Sequence, residues 1–129
     1  KLGPIPAGWL RGFIDLVFEW QGRFYIVDYK SNRLGSRFSD YTRPALERAM
    51  EEHHYHLQYH LYAVAVDRFL RSRVPGYSHE TGFGGVFYLF LRGMRPGRDE
   101  GIFAARPSAR TIAALDRLFA ARAPEGGPR

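Results

Sequence analysis

The stretch GFIDLVFEWQGRFYIVDYKSN, residues 12–32, holds the clearest secondary-structure pattern of the chain. Two runs rich in β-branched and aromatic residues, Trp9–Trp20 and Arg23–Lys30, flank the dipeptide Gln21-Gly22. This pattern predicts a β-hairpin with a tight two-residue turn, because Gly supplies the positive φ that such a turn requires.

The predicted hairpin brings two acids and a lysine to one face of the sheet. With a two-residue turn the numbers of opposed residues add up to 43, so Asp15 faces Asp28. Their Cβ atoms are then about 4.5–5.5 Å apart. Lys30 lies on the same face because side chains in a strand alternate with period two. A three-residue loop would instead place Asp15 opposite Val27 or Tyr29 and separate the acids.

Two carboxylates that face each other across a ladder repel, so the pair suggests a cation between them. Oxygen ligands without thiols suit Mg²⁺ or Mn²⁺, with a substrate phosphate and water in the remaining positions. Lys30 would then orient or deprotonate the attacking water, or stabilise charge in the transition state. The structural alternative is an exposed face on which Lys30 pairs with Asp15 and Asp28.

A single long helix is predicted from residue 42 to residue 73, where Val74-Pro75-Gly76 ends it. Gln58 and Tyr62 lie four residues apart on it and project together, so they can bind a phosphate, a base edge or a neighbouring strand. The predicted core stripe consists of Leu46, Met50, His53, Leu57, Leu61 and Val64. A second predicted stripe consists of Gln58, Tyr62, Ala65 and Phe69.

The C-terminal half predicts two further strands and one helix. Residues 83–91, FGGVFYLFL, are continuously apolar and suit a central strand covered on both faces. Residues 102–105 suit a short edge strand, and Ser108 is a suitable N-cap for a helix that runs to residue 122.

Composition limits the class of protein. The chain has 129 residues, 45% of them hydrophobic, which predicts one globular domain and excludes disorder of the whole chain. The absence of cysteine excludes disulfides, thiolate zinc sites and cysteine nucleophiles. No run of 18 apolar residues occurs, so a soluble, cytoplasmic protein without a membrane segment is expected.

The positive charge favours an acidic partner. The formal net charge is +6 and the pI is near 10.0, which favours nucleic acid over a membrane surface. Zinc ligation by His53, His56 and His60 is conceivable but weakly supported. The loop arginines that could follow a phosphate backbone are Arg33, Arg37, Arg92, Arg95 and Arg98.

Four segments together resemble a known family: GFIDLVF (12–18), VDYKSN (27–32), LQYHLYA (57–63) and GGVFYLFLRG (84–93). They are similar to the C-terminal nuclease domain of the RecB family, within the PD-(D/E)XK superfamily. The resemblance implies an α/β fold, a restriction-endonuclease-like mixed β-sheet flanked by α-helices. It also implies that Asp15, Asp28 and the backbone carbonyl of Tyr29 hold metal, that Lys30 is catalytic, and that Gln58 and Tyr62 contact DNA.

The same resemblance implies a Mg²⁺-dependent deoxyribonuclease of the exodeoxyribonuclease V type, with Mn²⁺ or Ca²⁺ able to replace Mg²⁺ in binding. DNA, RecC- and RecD-type subunits and RecA are its expected partners, in double-strand break processing at the nucleoid. A His and an acid of the family pattern are expected upstream of residue 1, so residues 1–122 are predicted to be one truncated domain and residues 123–129 a disordered tail. Two alternatives stay open: a nuclease-like module that binds DNA or a protein without cutting, and a small structural α/β domain.

Overall fold

Four strands form one mixed sheet in the order β1-β2-β3-β4. They are β1 (Leu16–Trp20), β2 (Arg23–Lys30), β3 (Phe83–Phe90) and β4 (Ile102–Ala105). The outer strands β1 and β4 run antiparallel to their neighbours, and the central pair β2 and β3 is parallel. The computed structural model describes residues 13–122, so the predicted strand residues 9–12 and the predicted tail 123–129 lie outside the described residues.

The hairpin has the register that the two-residue turn predicts. Val17 pairs with Ile26 and Trp20 pairs with Arg23. Gln21 and Gly22 adopt φ of 50° and 77°, the positive values that a type I′ turn needs at both central positions. The alternative register of a three-residue loop is therefore excluded.

The described residues also form four helices: α1 (Arg43–Glu52), α2 (Tyr55–Arg73), α3 (His79–Gly82) and α4 (Ala109–Arg122). Short 3₁₀ turns occupy Phe38–Tyr41 and Leu91–Gly93. The prediction of α4 with its Ser108 cap is confirmed, since the Thr111 amide donates to Ser108 Oγ at 3.1 Å. No helix within residues 13–122 has the length and apolarity needed to cross a membrane.

The prediction of one continuous helix over residues 42–73 is wrong. The chain leaves the helix at His53 and His54, and His54 adopts the left-handed conformation with φ of 58°. One left-handed residue redirects the chain and changes which side of the next helix faces the core. Leu57 of the predicted core stripe is accordingly 61% exposed. The second predicted stripe forms the buried side of α2 instead, with Tyr62, Ala65 and Phe69 buried.

The two faces of the sheet are covered differently. On the face beneath α2, Ile26, Val86, Tyr88 and Phe90 are fully buried and form the centre of the core. The opposite face carries a row of stacked rings, Phe18 on Tyr25 and Tyr25 on Phe87, at centroid distances of 5.1 and 5.8 Å. The central position predicted for residues 83–91 is confirmed, but Phe87 and Leu89 on this second face are only partly buried.

Gly84 makes room for the stacked rings. A Cβ at this position would lie 2.2 Å from Tyr25 Cζ, far inside van der Waals contact. The glycine therefore serves close packing at the start of β3, as expected for glycine inside a strand.

Candidate active site

Asp28 and Lys30 end β2 on the face that α2 covers. Asp28 is only 4% exposed, although carboxylates are rarely buried. The Lys30 ammonium lies 2.6 Å from Asp28 Oδ2, so the two side chains form a close ion pair. Period-two alternation along β2 places both on this face, as the sequence predicts.

Asp15 lies one residue before β1 and completes the acidic pair. Its Oδ2 accepts a hydrogen bond of 2.8 Å from the backbone amide of Tyr29, the residue between Asp28 and Lys30. This bond ties the residue before β1 to the end of β2. The structure thus brings Asp15, Asp28 and Lys30 together at one corner of the sheet.

The pKa of Asp28 is raised above its ordinary value of 3.8. Burial is the largest cause, because it disfavours the charged carboxylate, and the nearby charge of Asp15 raises the pKa further. Hydrogen bonding and charge from Lys30 act in the opposite direction without cancelling the burial effect. The carboxylate is therefore under-compensated by its protein surroundings.

The Asp28 carboxylate has one close cationic partner. Its buried Oδ2 lies 2.6 Å from the Lys30 ammonium, yet the charge of Lys30 does not offset burial and the charge of Asp15. Two neighbouring carboxylates, one of them buried and incompletely compensated, suit a hard divalent cation. The donor set at this corner therefore fits a metal ion.

Gln58 reaches the site from the first turns of α2. Its Oε1 accepts hydrogen bonds from Lys30 Nζ at 3.2 Å and from the Tyr88 hydroxyl at 2.6 Å. Burial is the largest cause of the raised pKa of Tyr88, so its phenol remains a donor. Gln58 is thus fixed by Tyr88 and in turn fixes the Lys30 ammonium.

Tyr62 lies one turn after Gln58 and is buried. Burial, followed by the charges of Asp28 and Asp15, raises the pKa of Tyr62 to about 12. The phenol therefore keeps its proton at neutral pH and can donate it in a hydrogen bond. Gln58 and Tyr62, the predicted pair on α2, therefore both lie near Asp15, Asp28 and Lys30.

Comparison with known proteins places this geometry in a family. The PD-(D/E)XK nuclease superfamily model matches residues 4–125. The chain belongs to this superfamily. It is 52% identical over 114 residues to RecBCD enzyme subunit RecB of Escherichia coli K12, a match that covers 88% of this chain and 10% of that protein. The RecB subunit of Haemophilus influenzae is 51% identical over 87% of this chain and 9% of its own length. The RecB subunit of Mycolicibacterium smegmatis is 40% identical over 95% of this chain and 13% of its own length.

The chain thus spans about a tenth of the length of the curated relatives that it matches. The predicted family and fold class are confirmed by the superfamily match and by the mixed sheet with its flanking helices. The roles assigned to Asp15, Asp28, Lys30, Gln58, Tyr62 and the Tyr29 carbonyl stay predictions.

Tyr55 and Asn32 belong to this PD-(D/E)XK site but were missed at the sequence level. The Lys30 ammonium lies 4.0 Å from the centroid of the Tyr55 ring, a cation–π distance. Asn32 Nδ2 donates to the Tyr55 hydroxyl at 3.1 Å and so holds the ring in place. The available signal was spacing: Asn32 follows Lys30 by two residues, and Tyr55 precedes Gln58 by three, on the same side of α2.

The histidines predicted as zinc ligands, His53, His56 and His60, contact aromatic, backbone and acidic groups. His53 stacks on Tyr55 at a centroid distance of 5.2 Å, and His60 Nδ1 lies 2.7 Å from the carbonyl oxygen of His56. His56 itself lies 3.8 Å from Glu47. No group of three His, Asp or Glu side chains within residues 13–122 is arranged to hold a metal ion, so the zinc interpretation has no geometric support there.

Proposed function

We propose that this chain is a nuclease domain that hydrolyses phosphodiester bonds in DNA with the help of a divalent cation, Mg²⁺ in the first place. The observation that carries the proposal is the convergence of Asp15, Asp28 and Lys30 at one corner, with Gln58 bound to the lysine. Membership of a nuclease superfamily supports it.

The residues present fit a metal ion. Asp15 and Asp28 would supply the carboxylate oxygens, and the backbone carbonyl of Tyr29 is the proposed third ligand. Asp28 is buried, and its pKa stays raised although the Lys30 ammonium lies 2.6 Å from Oδ2, so the carboxylate has charge left to offer a cation. A divalent cation would neutralise charge on the phosphoryl group and make a bound water more acidic.

The protein side chains would then orient the reactants. Lys30 is held by Asp28, Gln58 and the Tyr55 ring, so its ammonium has a fixed position beside the acids. From that position it either directs the attacking water or donates to a phosphate oxygen. The protonated phenol of Tyr62 is available to position the DNA strand.

The wider setting is also a proposal. Relatives from three bacteria are named as RecB subunits of a RecBCD enzyme. We infer that this chain acts within such an enzyme, beside RecC- and RecD-type subunits, in processing double-strand ends for recombinational repair. Residues 1–122 form one nuclease domain in this proposal, and a RecA partner stays a prediction of the resemblance.

The test is DNA cleavage by the protein that carries this chain. Linear DNA with an end label should be cut in Mg²⁺ and left intact in EDTA. Asp28→Asn and Lys30→Gln should each lower the rate at least about a hundredfold, because several kcal/mol of transition-state stabilisation is lost. Asp99→Asn, which makes the same change on an exposed loop, is the matched control and should cut like the wild type. Cleavage that persists in EDTA or in Asp28→Asn would refute the proposal.

A second candidate function is DNA binding without cleavage. It is favoured by one observation: the described part of the chain brings two carboxylates to the site and no third acidic or histidine ligand. Calorimetric titration with Ca²⁺ and with Mn²⁺ separates the two. Metal binding that Asp28→Asn abolishes supports the nuclease, whereas DNA binding with neither metal binding nor cleavage supports the binding module.

A further inference from the structure

A second feature forms at the same edge of the sheet as Lys30. Because β2 and β3 are parallel and Lys30 pairs with Phe90, the loops that follow these strands start side by side. Arg92 Nε donates to the carbonyl oxygen of Ser31 at 2.8 Å and joins the two loops. The residues directly after the catalytic lysine are therefore held against the residues directly after β3.

Between these loops lies a cleft of about 270 Å³, called here the arginine cleft. Tyr41 lines the base of this cleft, and its hydroxyl accepts a hydrogen bond of 3.0 Å from the Leu34 amide. A Cβ at Gly93 would lie 2.1 Å from the Tyr41 ring, so the second loop packs tightly on the same side chain. The cleft is lined by Arg33, Gly35, Ser36, Arg37, Phe38, Tyr41 and Arg92.

Charge distinguishes this cleft from the other arginine-rich surface nearby. Arg95 and Arg98 share one carboxylate partner, Glu100, at 3.3 and 3.5 Å, and are thereby partly compensated. Arg33 and Arg92 have no carboxylate partner within residues 13–122, and both are exposed.

Arg37, the third arginine of the cleft, has a carboxylate partner but is exposed. It contacts Asp40 at 3.4 Å and remains mostly in solvent. The arginine cleft therefore presents two uncompensated guanidinium groups and one compensated group to a single concave surface. Guanidinium groups bind phosphate with paired hydrogen bonds, which makes an anion the expected occupant.

The distance from Lys30 to the arginine cleft indicates which anion the cleft binds. Arg33 follows Lys30 by three residues, and three residues of extended chain span at most about 11 Å. Successive phosphates of one DNA strand advance about 3.4 Å along the helix axis. A strand that places a phosphate at Lys30 therefore has its next few phosphates within reach of the cleft.

We propose that the arginine cleft binds a backbone phosphate of the DNA strand, one to three nucleotides from the bond cut beside Asp28 and Lys30. This inference rests on the proposed nuclease function and adds a binding subsite to it. Arg33 and Arg92 hold the phosphate, and Arg92 also fixes the position of the loop that follows Lys30.

The test measures DNA affinity as a function of salt in EDTA, where no cutting takes place. The full 129-residue chain is titrated into a fluorescently labelled 20-nucleotide single strand over a series of KCl concentrations. The double variant Arg33→Ala/Arg92→Ala should weaken binding about tenfold near 0.1 M salt. It should also lower the slope of log affinity against log salt by about 0.7, the value for one phosphate contact of a single strand.

The matched control is Arg110→Ala, which removes the same charge from an exposed position on α4. It should leave the slope unchanged, and circular dichroism should show that all variants are folded. The inference is overturned if the wild type shows no salt-dependent binding, if the double variant binds like the wild type, or if Arg110→Ala has an equal effect.

Cleavage assays keep this inference separate from the proposed function. If Asp28→Asn abolishes cutting while the double variant keeps wild-type affinity, the nuclease stands and the cleft is not a phosphate site. If Asp28→Asn cuts normally while the double variant binds weakly, the cleft binds DNA and the proposed catalytic site is wrong.

Discussion

Replacing Lys30 with Met should destabilise the protein strongly at pH 7. The side chains of Lys30 and Asp28 are only 14% and 6% exposed, so water cannot take the place of the ammonium. Removing one partner of a buried ion pair leaves an uncompensated charge and lowers the free energy of unfolding by about 3–5 kcal/mol. Since a domain of this size is stable by about 5–15 kcal/mol, a large part of its stability is at stake.

The structure indicates that charge, and not packing, causes this loss. Both influences that lower the pKa of Asp28 come from Lys30, and those that raise it are burial and Asp15. The variant thus removes both influences that favour the charged carboxylate and keeps both that oppose it. Met has nearly the length and volume of the lysine stem, so the cavity contribution stays small.

The sign of the pH dependence follows from the same pKa. Asp28 has a folded pKa above its unfolded value of 3.8, so the folded state binds the proton more tightly. The contribution of Asp28 to stability is then fully present below pH 3.8 and is lost as the pH rises through the folded pKa. Without Lys30 the folded pKa rises further, so the variant should lose more stability than the wild type between pH 4 and pH 7.

Urea denaturation followed by far-UV circular dichroism in EDTA, at pH 7 and at pH 5, measures both effects. The double variant Asp28→Asn/Lys30→Met has no buried charge and should recover most of the lost stability. Arg110→Met, an exposed substitution of a cation, should change stability by less than about 0.5 kcal/mol. A loss below about 1 kcal/mol for Lys30→Met, or a double variant no more stable than the single one, would refute the reasoning.

Three further predictions concern packing, catalysis and backbone strain. Gly84→Ala should lower the free energy of unfolding by about 2–3 kcal/mol in urea denaturation, because its Cβ would overlap the Tyr25 ring. Tyr55→Leu should lower the single-turnover cleavage rate about tenfold with little change in KM, whereas Tyr55→Phe keeps the ring over Lys30 and should retain most of the rate. His54→Gly should raise stability by about 0.5–1 kcal/mol in thermal denaturation, because glycine adopts φ of 58° without the Cβ penalty.

The hairpin could be predicted from sequence because its determinants are local. Gln21-Gly22 sets the turn, the turn sets the register, and the register sets which residues share a face. The shared face of Asp28 and Lys30 follows from the two-residue period of a strand. The shared face of Gln58 and Tyr62 follows from the period of a helix. Each of these relations acts within one element or across one tight turn.

The break between α1 and α2 could not be predicted in this way. Neither His53 nor His54 is a glycine or proline, and apolar residues continue at helical spacing on both sides. The left-handed residue lies where the chain enters α2, the helix on which Gln58 meets Lys30 and Tyr88. Packing of this kind overrides local preference and leaves no signal in a hydrophobic pattern.

The sequence also did not show which loop arginines have a carboxylate partner. The sequence treats Arg33, Arg92, Arg95 and Arg98 alike, as exposed loop cations. The fold separates them, since Glu100 lies beside Arg95 and Arg98 and no described carboxylate lies beside the other two. Arg95 and Arg98 meet Glu100 within one loop, at separations of five and two residues. The parallel pairing of β2 and β3 instead decides that Arg92 lies against the loop that carries Arg33.

The pairing of Asp15 with Asp28 lowers the stability of the metal-free fold. Burial and like charge both raise the pKa of Asp28, so at neutral pH its ionised carboxylate opposes folding. A cation that binds only the folded state reverses this effect, and at a concentration of 100 Kd it adds about 2.7 kcal/mol of stability. Hydrophobic residues in place of the whole buried pair, Asp28 and Lys30, would remove the buried charges without any ion. The hairpin instead carries a second acid, Asp15, beside this pair, which is expected of a site that gains its stability and its chemistry from the same bound cation.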